Sequence, residues 1–266
     1  MSGRETEVVG KYEVISRIAQ GGMAEIFLAR QPGIGGFSRR VVLKCILPLL
    51  AEEPRFVQMF MEESRLASQI HHPNVVQIFD VGEDDETYFI AMEYIDGLSV
   101  GSMTEELSGK QRKLPIPVAC EIVSQACLGL HAAHKLKGED GTSLGLVHRD
   151  VSPQNLMVSL DGVVKLVDFG IAKAQDSSVT TRTGNIKGKY AYMSPEQVRG
   201  KPLDRRSDLF SLGTILFELL TGKKLFARNA ELAILVAIIE EPIPEATEFE
   251  PDLPKELSDL IKKSLQ

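Results

Sequence analysis

The chain has few cysteines, no long apolar run and no excess of positive charge, and each shortage excludes a class of protein. Cys45, Cys120 and Cys127 are odd in number and match no metal-ligand spacing, which predicts free, buried thiols in a reducing compartment. The net charge of −7 over 266 residues argues against general nucleic-acid binding, because that binding needs basic patches that contact phosphates. The most apolar long stretch, residues 209–220, is too short to span a bilayer and contains Glu218.

Residues 1–11 carry several charges and lack the apolar run of a signal peptide. We therefore expect a cytoplasmic protein with no membrane segment within this chain. Its length allows one large domain or two small ones, and a hydrophobic content of 43% is enough for substantial cores. Nothing in the sequence indicates the oligomeric state.

The first third of the chain has the pattern of strands with one helix. A hairpin is predicted from strands 12–15 and 25–29 around Gly21 and Gly22, where a tight turn favours glycine. A loose connection, 31–36, leads to a third strand at 40–47, and two further strands are predicted at 75–81 and 87–94. Residues 52–70 have helical periodicity, with one face formed by Phe56, Met59, Phe60, Glu63, Leu66, Ala67 and Ile70.

From residue 96 onward the pattern changes to helices. They are predicted at 118–134, 209–220, 230–239 and 255–265. Gly97 therefore marks a boundary, with a tail at 1–11, a strand-rich lobe at 12–95 and a helical lobe at 96–266. A cleft between two such lobes is where a small-molecule site is expected.

The most informative residues are His148-Arg149-Asp150, then Asn155, then Asp168-Phe169-Gly170. They supply a carboxylate that can accept a hydroxyl proton, an amide oxygen and a second carboxylate, at a spacing suited to phosphoryl transfer from Mg-ATP. Other motifs stand in order around them: Val41-Val42-Leu43-Lys44 upstream, and Ser194-Pro195-Glu196 and Asp208-Leu209-Phe210-Ser211-Leu212-Gly213 downstream.

With these motifs in this order, the chain resembles the eukaryotic-like serine/threonine protein kinases of bacteria from about Tyr12 to its last residue. The resemblance implies an α+β, two-lobed protein kinase fold, with a small antiparallel sheet and one helix in the first lobe and a larger, mainly helical second lobe. It implies transfer of the γ-phosphate of Mg-ATP to serine or threonine hydroxyls of protein substrates, with autophosphorylation of the activation loop. Mn²⁺ is an alternative to Mg²⁺.

The resemblance also implies roles for individual residues. Asp150 would be the catalytic carboxylate that orients the hydroxyl and receives its proton, and Asn155 and Asp168 would bind the magnesium ions. Lys44 would hold the α- and β-phosphates. Glu63, on the inward face of its helix, would compensate that charge inside an apolar strand.

The nucleotide would lie against the Gly-rich hairpin, in which alanine replaces two of the family's three glycines. The residues expected there are Ile18, Ala19, Gln20, Gly21, Gly22, Met23, Ala24, Glu25 and Ile26. Val42 would line the adenine pocket, Met92 would be the gatekeeper, and Met157 would support the ring. The backbone of Glu93 and Ile95 would read the adenine edge.

Two departures from the family pattern look reciprocal. Ser152 stands where the family has a lysine that contacts the γ-phosphate, and Lys189 stands where it has a threonine. We hypothesise that Lys189 supplies the cation that Ser152 cannot, so both are candidate catalytic residues. A third departure is the end of the chain at Gln266, before the arginine that usually pairs with Glu196, so a truncated second lobe is expected.

Arg149 precedes the catalytic acid, which in the family marks enzymes whose activation segment is ordered by a phosphate. Thr181 and Thr183 are the predicted sites, among the candidates Ser177, Ser178, Thr180, Thr181 and Thr183. His131 and His134 have no third ligand at metal spacing, so we interpret them as packing or capping residues. His148 is interpreted as a structural histidine beneath the catalytic loop.

Two other functions stay open. A pseudokinase that binds nucleotide as a scaffold is favoured by Ser152 and the missing glycines, but opposed by Lys44, Glu63 and Asp150. A small-molecule phosphotransferase on a related fold is opposed by the long segment 168–196, which suits peptide docking. The choice of serine and threonine over tyrosine rests mainly on overall resemblance.

Overall fold

The structure, a computed structural model, describes residues 7–110, 112–170 and 190–266, which divide into two compact units. The described part of the first unit is 7–71 and 76–95. The second unit contains 72–75, 96–110, 112–170 and 190–266. The short stretch 72–75 thus belongs to the helical unit although it lies within the strand-rich part of the sequence.

The first unit is an antiparallel sheet with two helices. Its strands follow the spatial order β1-β2-β3-β4-β6-β5. They are β1 (Val8–Val9), β2 (Tyr12–Gln20), β3 (Ala24–Pro32), β4 (Ser38–Ile46), β5 (Ile78–Asp84) and β6 (Thr87–Glu93). The helices α1 (Pro48–Ala51) and α2 (Pro54–Ser68) follow β4, and each has proline in its first turn, where the missing N–H costs nothing.

The strand β4 shows how sequence alternation sets the two faces of this sheet. Val41, Leu43 and Cys45 are buried and pack with Tyr12 and Phe89, while the residues between them point to the opposite face. Burial raises the pKa of the Cys45 thiol to about 11, so the thiol stays protonated at neutral pH. The predicted buried cysteine is therefore present at position 45, whereas Cys120 and Cys127 are only partly buried, contrary to the prediction.

The second unit combines a small sheet with the remaining helices. Its antiparallel strands are β7 (Gly97–Ser99), β8 (Leu156–Ser159) and β9 (Val164–Leu166). Its helices are α3 (Val100–Gly109), α4 (Ile116–His134), α5 (Pro195–Val198), α6 (Arg205–Thr221), α7 (Glu231–Glu240) and α8 (Lys255–Ser264). Short 3-10 helices at Pro153–Asn155, Tyr190–Tyr192 and Ala246–Glu248 connect them.

The helix α6 is the centre of the second unit, and both of its ends are specified locally. Asp204 caps the start by accepting a hydrogen bond from the Arg206 N–H at 2.9 Å. Gly222 ends the helix with φ at 69°, a left-handed conformation that favours glycine. Between these caps the helix is buried nearly all round, and α4 and α8 pack against it.

The helix α4 is the one described helix that is long and apolar enough to cross a membrane by length and composition. Core helices of folded domains meet the same criterion. Here α4 packs against α6 and β9 through a face that includes Ala126, Leu130 and Ala133, none of which is more than 1% exposed. Its apolar character therefore has an explanation within the second unit.

The predicted two-lobed architecture is confirmed, although several elements differ in extent. The sequence pattern missed α3 and the three strands of the second sheet, because each strand has only three or four residues and no clear alternation. The predicted strand at 75–81 begins later, at Ile78. The connection predicted at 31–36 is shorter, since β3 continues to Pro32.

Glu218 brings a carboxyl group from α6 into the protein interior. Its Oε2 accepts a hydrogen bond from the Tyr192 hydroxyl at 2.7 Å. The Oε1 atom is buried and has no hydrogen-bond partner among the described residues, although the residue as a whole is partly accessible. Burial raises the pKa of Glu218 from its ordinary value of 4.5 to about 7, against the opposing effect of the Tyr192 hydrogen bond.

We expect replacement of Gly129 by a residue with a side chain to disturb the packing around it. A Cβ atom at this position would lie 2.5 Å from the Asn74 carbonyl oxygen and 2.8 Å from the Leu166 Cδ1 atom. We expect Gly129→Ala to lower the free energy of unfolding by about 1–3 kcal/mol in urea titrations. Gly109→Ala is the matched control, because no atom lies within 4 Å of its added Cβ, and it should be neutral or slightly stabilising. Equal effects of the two substitutions would contradict the close approach.

Glu218 predicts a loss of stability as the pH rises. Because the folded pKa lies above the ordinary value, the folded chain keeps a proton that the unfolded chain releases, so stability falls between about pH 4.5 and pH 7. Glu218→Gln keeps an acceptor for Tyr192 and removes the charge. At pH 8 the variant should be more stable by up to about 3 kcal/mol, and at pH 5 by less than about 1 kcal/mol. Urea titrations at both pH values, with the exposed Glu256→Gln as control, measure this; parallel pH profiles would refute it.

Candidate active site

Lys44 and Glu63 form an ion pair within the first unit. The alternation of β4 places Lys44 on the face opposite Leu43, and α2 carries Glu63. The Lys44 Nζ atom lies 3.3 Å from Glu63 Oε1, and the two side chains are only 16% and 13% exposed. A half-buried lysine of this kind is stabilised by its carboxylate partner and not by reaching to water.

The Gly-rich hairpin joins β2 and β3 as predicted. The Gly21 N–H donates to the Ala24 carbonyl at 2.9 Å, which closes the turn. Arg17 donates to Glu25 at 2.8 Å and to Gln20 at 3.3 Å, so the polar side chains of the turn are held by a neighbour on β2. Ile18, Ala19, Gly22, Met23 and Ile26 complete the predicted loop; Ile18 is half exposed, and Ala19 lies opposite Ile26 in the ladder.

The predicted adenine-binding residues of the first unit lie on adjacent strands. Val42 on β4 is directly opposite Met92 on β6, and Met92 is buried. The Glu93 N–H donates to the Gln77 carbonyl at 2.9 Å, and Ile95 ends the unit. Met157, predicted to support the ring, belongs to the second unit and lies on β8 opposite Ser99.

His148 is a buried structural residue. Its ring packs against Phe169 with centroids 4.4 Å apart, and Nδ1 accepts a hydrogen bond from the Asp150 N–H at 3.3 Å. Nε2 lies 3.2 Å from the Val167 carbonyl, which requires the proton on that nitrogen. Burial lowers the pKa of His148, so the neutral ring holds the loop, as the sequence interpretation stated.

Asp208 holds the backbone of the catalytic loop. This side chain, only 1% exposed, accepts hydrogen bonds from the N–H groups of His148 and Arg149, each at 2.9 Å. The His134 Nε2 atom lies 2.7 Å from the same carboxylate. In the sequence Asp208 is recognisable only as part of a motif, and its role in holding the loop was not predicted; the available signal was a carboxylate directly before the apolar stretch 209–217.

Asp150 and Asn155 are joined directly. The Asn155 Nδ2 atom donates to the Asp150 carboxylate at 2.9 Å and to its backbone carbonyl at 2.8 Å. The Asn155 carbonyl accepts from the Val167 N–H at 3.0 Å, beside Asp168 in the chain. The structure therefore brings together the segments that carry three of the predicted site residues.

The backbone is strained at two of these positions. Arg149 has φ at 67° and Asp168 at 56°, in a region that residues with a Cβ rarely adopt. Such conformations cost about 1–3 kcal/mol each and persist only where surrounding contacts determine them. Gly170 shows how close those contacts are, since a Cβ there would lie 2.8 Å from Asp150 Cβ.

Ser152 lies inside the protein. It is 1% exposed, and its Oγ atom has no hydrogen-bond partner in the part of the chain that the structure describes. The Ser152 hydroxyl therefore lies in the protein interior. Lys189, its predicted counterpart, lies outside the described residues, as do Ser177, Ser178, Thr180, Thr181 and Thr183.

The helix α5 carries Glu196, and α6 supplies a hydrogen-bond donor for its carboxylate. Glu196 accepts a hydrogen bond from the Ser207 hydroxyl at the start of α6. The next residue, Gln197, donates from Nε2 to the Arg149 carbonyl at 2.9 Å. Neither Ser207 nor Gln197 belongs to a motif in the sequence, so neither contact is predicted from it.

The residues present fit a divalent cation. Asp168 offers a carboxylate and Asn155 an amide oxygen that its two bonds to Asp150 do not use, and hard cations bind such oxygen atoms. No group of three or more histidine, cysteine, aspartate or glutamate side chains that could hold a metal occurs in residues 7–110, 112–170 and 190–266. Of the two histidines of α4 that the sequence assigned to packing or capping, His134 contacts the Asp208 carboxylate.

The chain is similar to bacterial proteins that are named as protein kinases. "Tyrosine-protein kinase MasK" of Myxococcus xanthus is 47% identical over 257 residues, which are 96% of this chain and 40% of that protein. "Serine/threonine-protein kinase PrkC" of Bacillus subtilis is 33% identical over 257 residues, 97% of this chain and 37% of that protein. The chain thus spans less than half the length of these relatives.

Solved structures and a family model complete the comparison. The crystal structure of the PknI kinase domain from Mycobacterium tuberculosis superposes with a TM-score of 0.69 at 25% identity, over 100% of this chain and 91% of that one. The family model described as "Protein kinase domain" matches residues 12–266. The predicted resemblance is confirmed, and the chain belongs to the protein kinase family, among the eukaryotic-like kinases of bacteria.

Proposed function

We propose that this chain transfers the γ-phosphate of Mg-ATP to serine and threonine hydroxyls of protein substrates. The observation that carries the proposal is the Asp150 carboxylate, held at 2.9 Å by the Asn155 amide on a loop fixed by Asp208. A carboxylate in a fixed position can orient a hydroxyl and accept its proton. Protein kinases use this arrangement to prepare the attacking oxygen.

Residues from each unit have a role in the proposed phosphate transfer. Lys44, compensated by Glu63, stabilises the negative charge of the α- and β-phosphates. Asp150 receives the proton of the substrate hydroxyl as the new oxygen–phosphorus bond forms and the bond to the β-phosphate oxygen breaks. Asn155 and Asp168 would hold magnesium, which neutralises charge on the phosphate oxygens when it is bound.

The choice of hydroxyl is the finer part of the proposal. Relatives named serine/threonine kinases, such as PrkC, support serine and threonine, whereas MasK is named a tyrosine kinase. The lysine that usually marks the serine/threonine enzymes is replaced by the buried Ser152. We infer serine and threonine from the number of relatives so named, including "Serine/threonine-protein kinase PknB" of Mycobacterium leprae at 35% identity.

A pseudokinase is the second candidate, and the burial of Ser152 favours it. A hydroxyl inside the protein cannot replace a lysine that contacts the γ-phosphate. The hydrogen bonds of Asp150 with Asn155 oppose this alternative. If the chain is a pseudokinase, nucleotide still binds and raises the melting temperature, but no phosphate is transferred.

Arg149 supports activation by phosphorylation. Its Nε atom is buried and has no hydrogen-bond partner among the described residues, and arginine binds phosphate through such donors. We propose that a phosphate on Thr181 or Thr183 is its partner.

Asp150→Asn tests the proposed function. Intact mass of the purified chain before and after incubation with Mg-ATP should show added phosphate, which the variant should lose because the loss of a general base costs about a hundredfold to ten-thousandfold in rate. The exposed Asp252→Asn is the matched control and should keep the wild-type rate. Phosphoserine and phosphothreonine in the hydrolysate support the proposal; phosphotyrosine alone would reassign the substrate class.

Wild-type protein that gains no phosphate and transfers none to a generic protein substrate would contradict the kinase activity. A rise in melting temperature with nucleotide would then identify the pseudokinase. Peptide mapping of the phosphorylated sample tests Thr181 and Thr183 directly.

Lys189→Ala tests the reciprocal exchange with Ser152. If Lys189 supplies the missing cation, its loss removes charge stabilisation of about 3 kcal/mol, or roughly a hundredfold in kcat. Lys201→Ala, at an exposed lysine of the second unit, is the control. Steady-state rates near wild type for Lys189→Ala would refute the exchange.

A further inference from the structure

We infer that Gln197 is a positioning residue for the catalytic loop: its side-chain amide fixes the peptide that joins Arg149 to Asp150. This inference rests on the proposed function, because Asp150 is the proton acceptor that the contact would position. It assigns a part in phosphoryl transfer to the short helix α5, which carries no catalytic group.

The backbone of Arg149 is held at both ends. Its N–H donates to Asp208 Oδ1 at 2.9 Å, and its carbonyl accepts from Gln197 Nε2 at 2.9 Å. The residue between these two bonds has φ at 67°, a conformation that an arginine adopts only when its surroundings determine it. Removing the Gln197 bond therefore releases the carbonyl of the peptide before Asp150, whose N–H still donates to His148 Nδ1 at 3.3 Å.

Gln197 is itself rigid, because both ends of its amide are used. Its Oε1 atom accepts from the Ser194 N–H at 2.9 Å, while the Ser194 hydroxyl accepts from the Gln197 N–H at 3.3 Å. This reciprocal pair is a capping box at the start of α5. The Nε2 donor is thereby directed at one carbonyl and loses little entropy on binding it.

The two bonds on Arg149 are also tied to each other. Glu196 precedes Gln197 and accepts from the Ser207 hydroxyl, and Ser207 precedes Asp208. A closed circuit thus runs from Asp208 through the Arg149 backbone to Gln197, and back through Glu196 and Ser207. Such a circuit resists displacement of the loop better than either hydrogen bond alone.

Displacement of this peptide would act on the chemistry through Asp150. The Asp150 carbonyl and carboxylate both accept hydrogen bonds from Asn155. Rotation of the preceding peptide would move the Asp150 backbone relative to Asn155, and the carboxylate would change direction with it. A shift of about 1 Å in a catalytic group can lower the rate about a hundredfold. The Lys44–Glu63 pair lies in the other unit and does not take part in the circuit.

Two substitutions test the donor and the acceptor of the Gln197 amide one at a time. Gln197→Glu keeps an oxygen for the Ser194 N–H and so keeps the capping box, but it loses the donor to Arg149. Gln197→Lys keeps a donor and loses the acceptor. We expect kcat to fall about tenfold to a hundredfold in Gln197→Glu and less in Gln197→Lys, with KM for ATP within about twofold of wild type in both.

Stability should follow the opposite order. Gln197→Glu should unfold near the wild-type urea midpoint and Gln197→Lys below it, because a lost cap weakens α5. Ser194→Ala, which removes the cap hydroxyl and leaves the Nε2 donor, is the matched control and should keep kcat within about threefold of wild type. A positioning role therefore predicts the larger loss of kcat in Gln197→Glu and the larger loss of stability in Gln197→Lys. General destabilisation would instead give both losses in the same order.

Hydrogen exchange of the peptide that contains residues 147–156 adds a readout that needs no turnover. Gln197→Glu should raise its exchange rate about tenfold or more, and Ser194→Ala should not. Wild-type kcat and exchange in Gln197→Glu, or losses that simply follow stability across the three variants, would overturn the inference. An inactive wild type with faster exchange in Gln197→Glu would contradict the proposed function and leave the positioning contact supported.

Discussion

The catalytic loop depends on one buried carboxylate. Asp208 accepts two backbone N–H groups of the loop and lies within hydrogen-bond distance of His134. A charge in this position is costly unless every lone pair finds a donor, and here the loop itself supplies the donors. The loop conformation and the burial of Asp208 therefore stabilise each other, and the placement of Asp150 follows from both.

Sequence reasoning succeeded where a residue type is demanded by chemistry at a fixed spacing. Lys44 and Glu63 were paired because an isolated charge in an apolar strand is unfavourable, and the structure brings them together. It failed for Gln197 and Ser207, whose hydrogen bonds join residues 48 and 11 positions apart. Short polar side chains of this kind have no periodic signal, and only the packing of α5 and α6 reveals their partners.

The departures from the family pattern differ in kind. At Glu196, the Ser207 hydroxyl donates to the carboxylate and so supplies it with a local partner. The exchange of lysine for Ser152 leaves instead a buried hydroxyl with no hydrogen-bond partner in the described ranges. A buried polar group without a hydrogen-bond partner has a free-energy cost, so the Ser152 hydroxyl destabilises the folded chain relative to a paired group.

The Lys44–Glu63 ion pair belongs to the first unit, and Asp150, Asn155 and Asp208 belong to the second. Mutational drift can therefore erase phosphate neutralisation while proton acceptance stays geometrically intact, or the reverse. A descendant of this chain could therefore lose catalysis in two ways. Loss of the Lys44–Glu63 pair would lower the affinity for nucleotide, whereas loss of the Asp150 arrangement would leave that affinity unchanged.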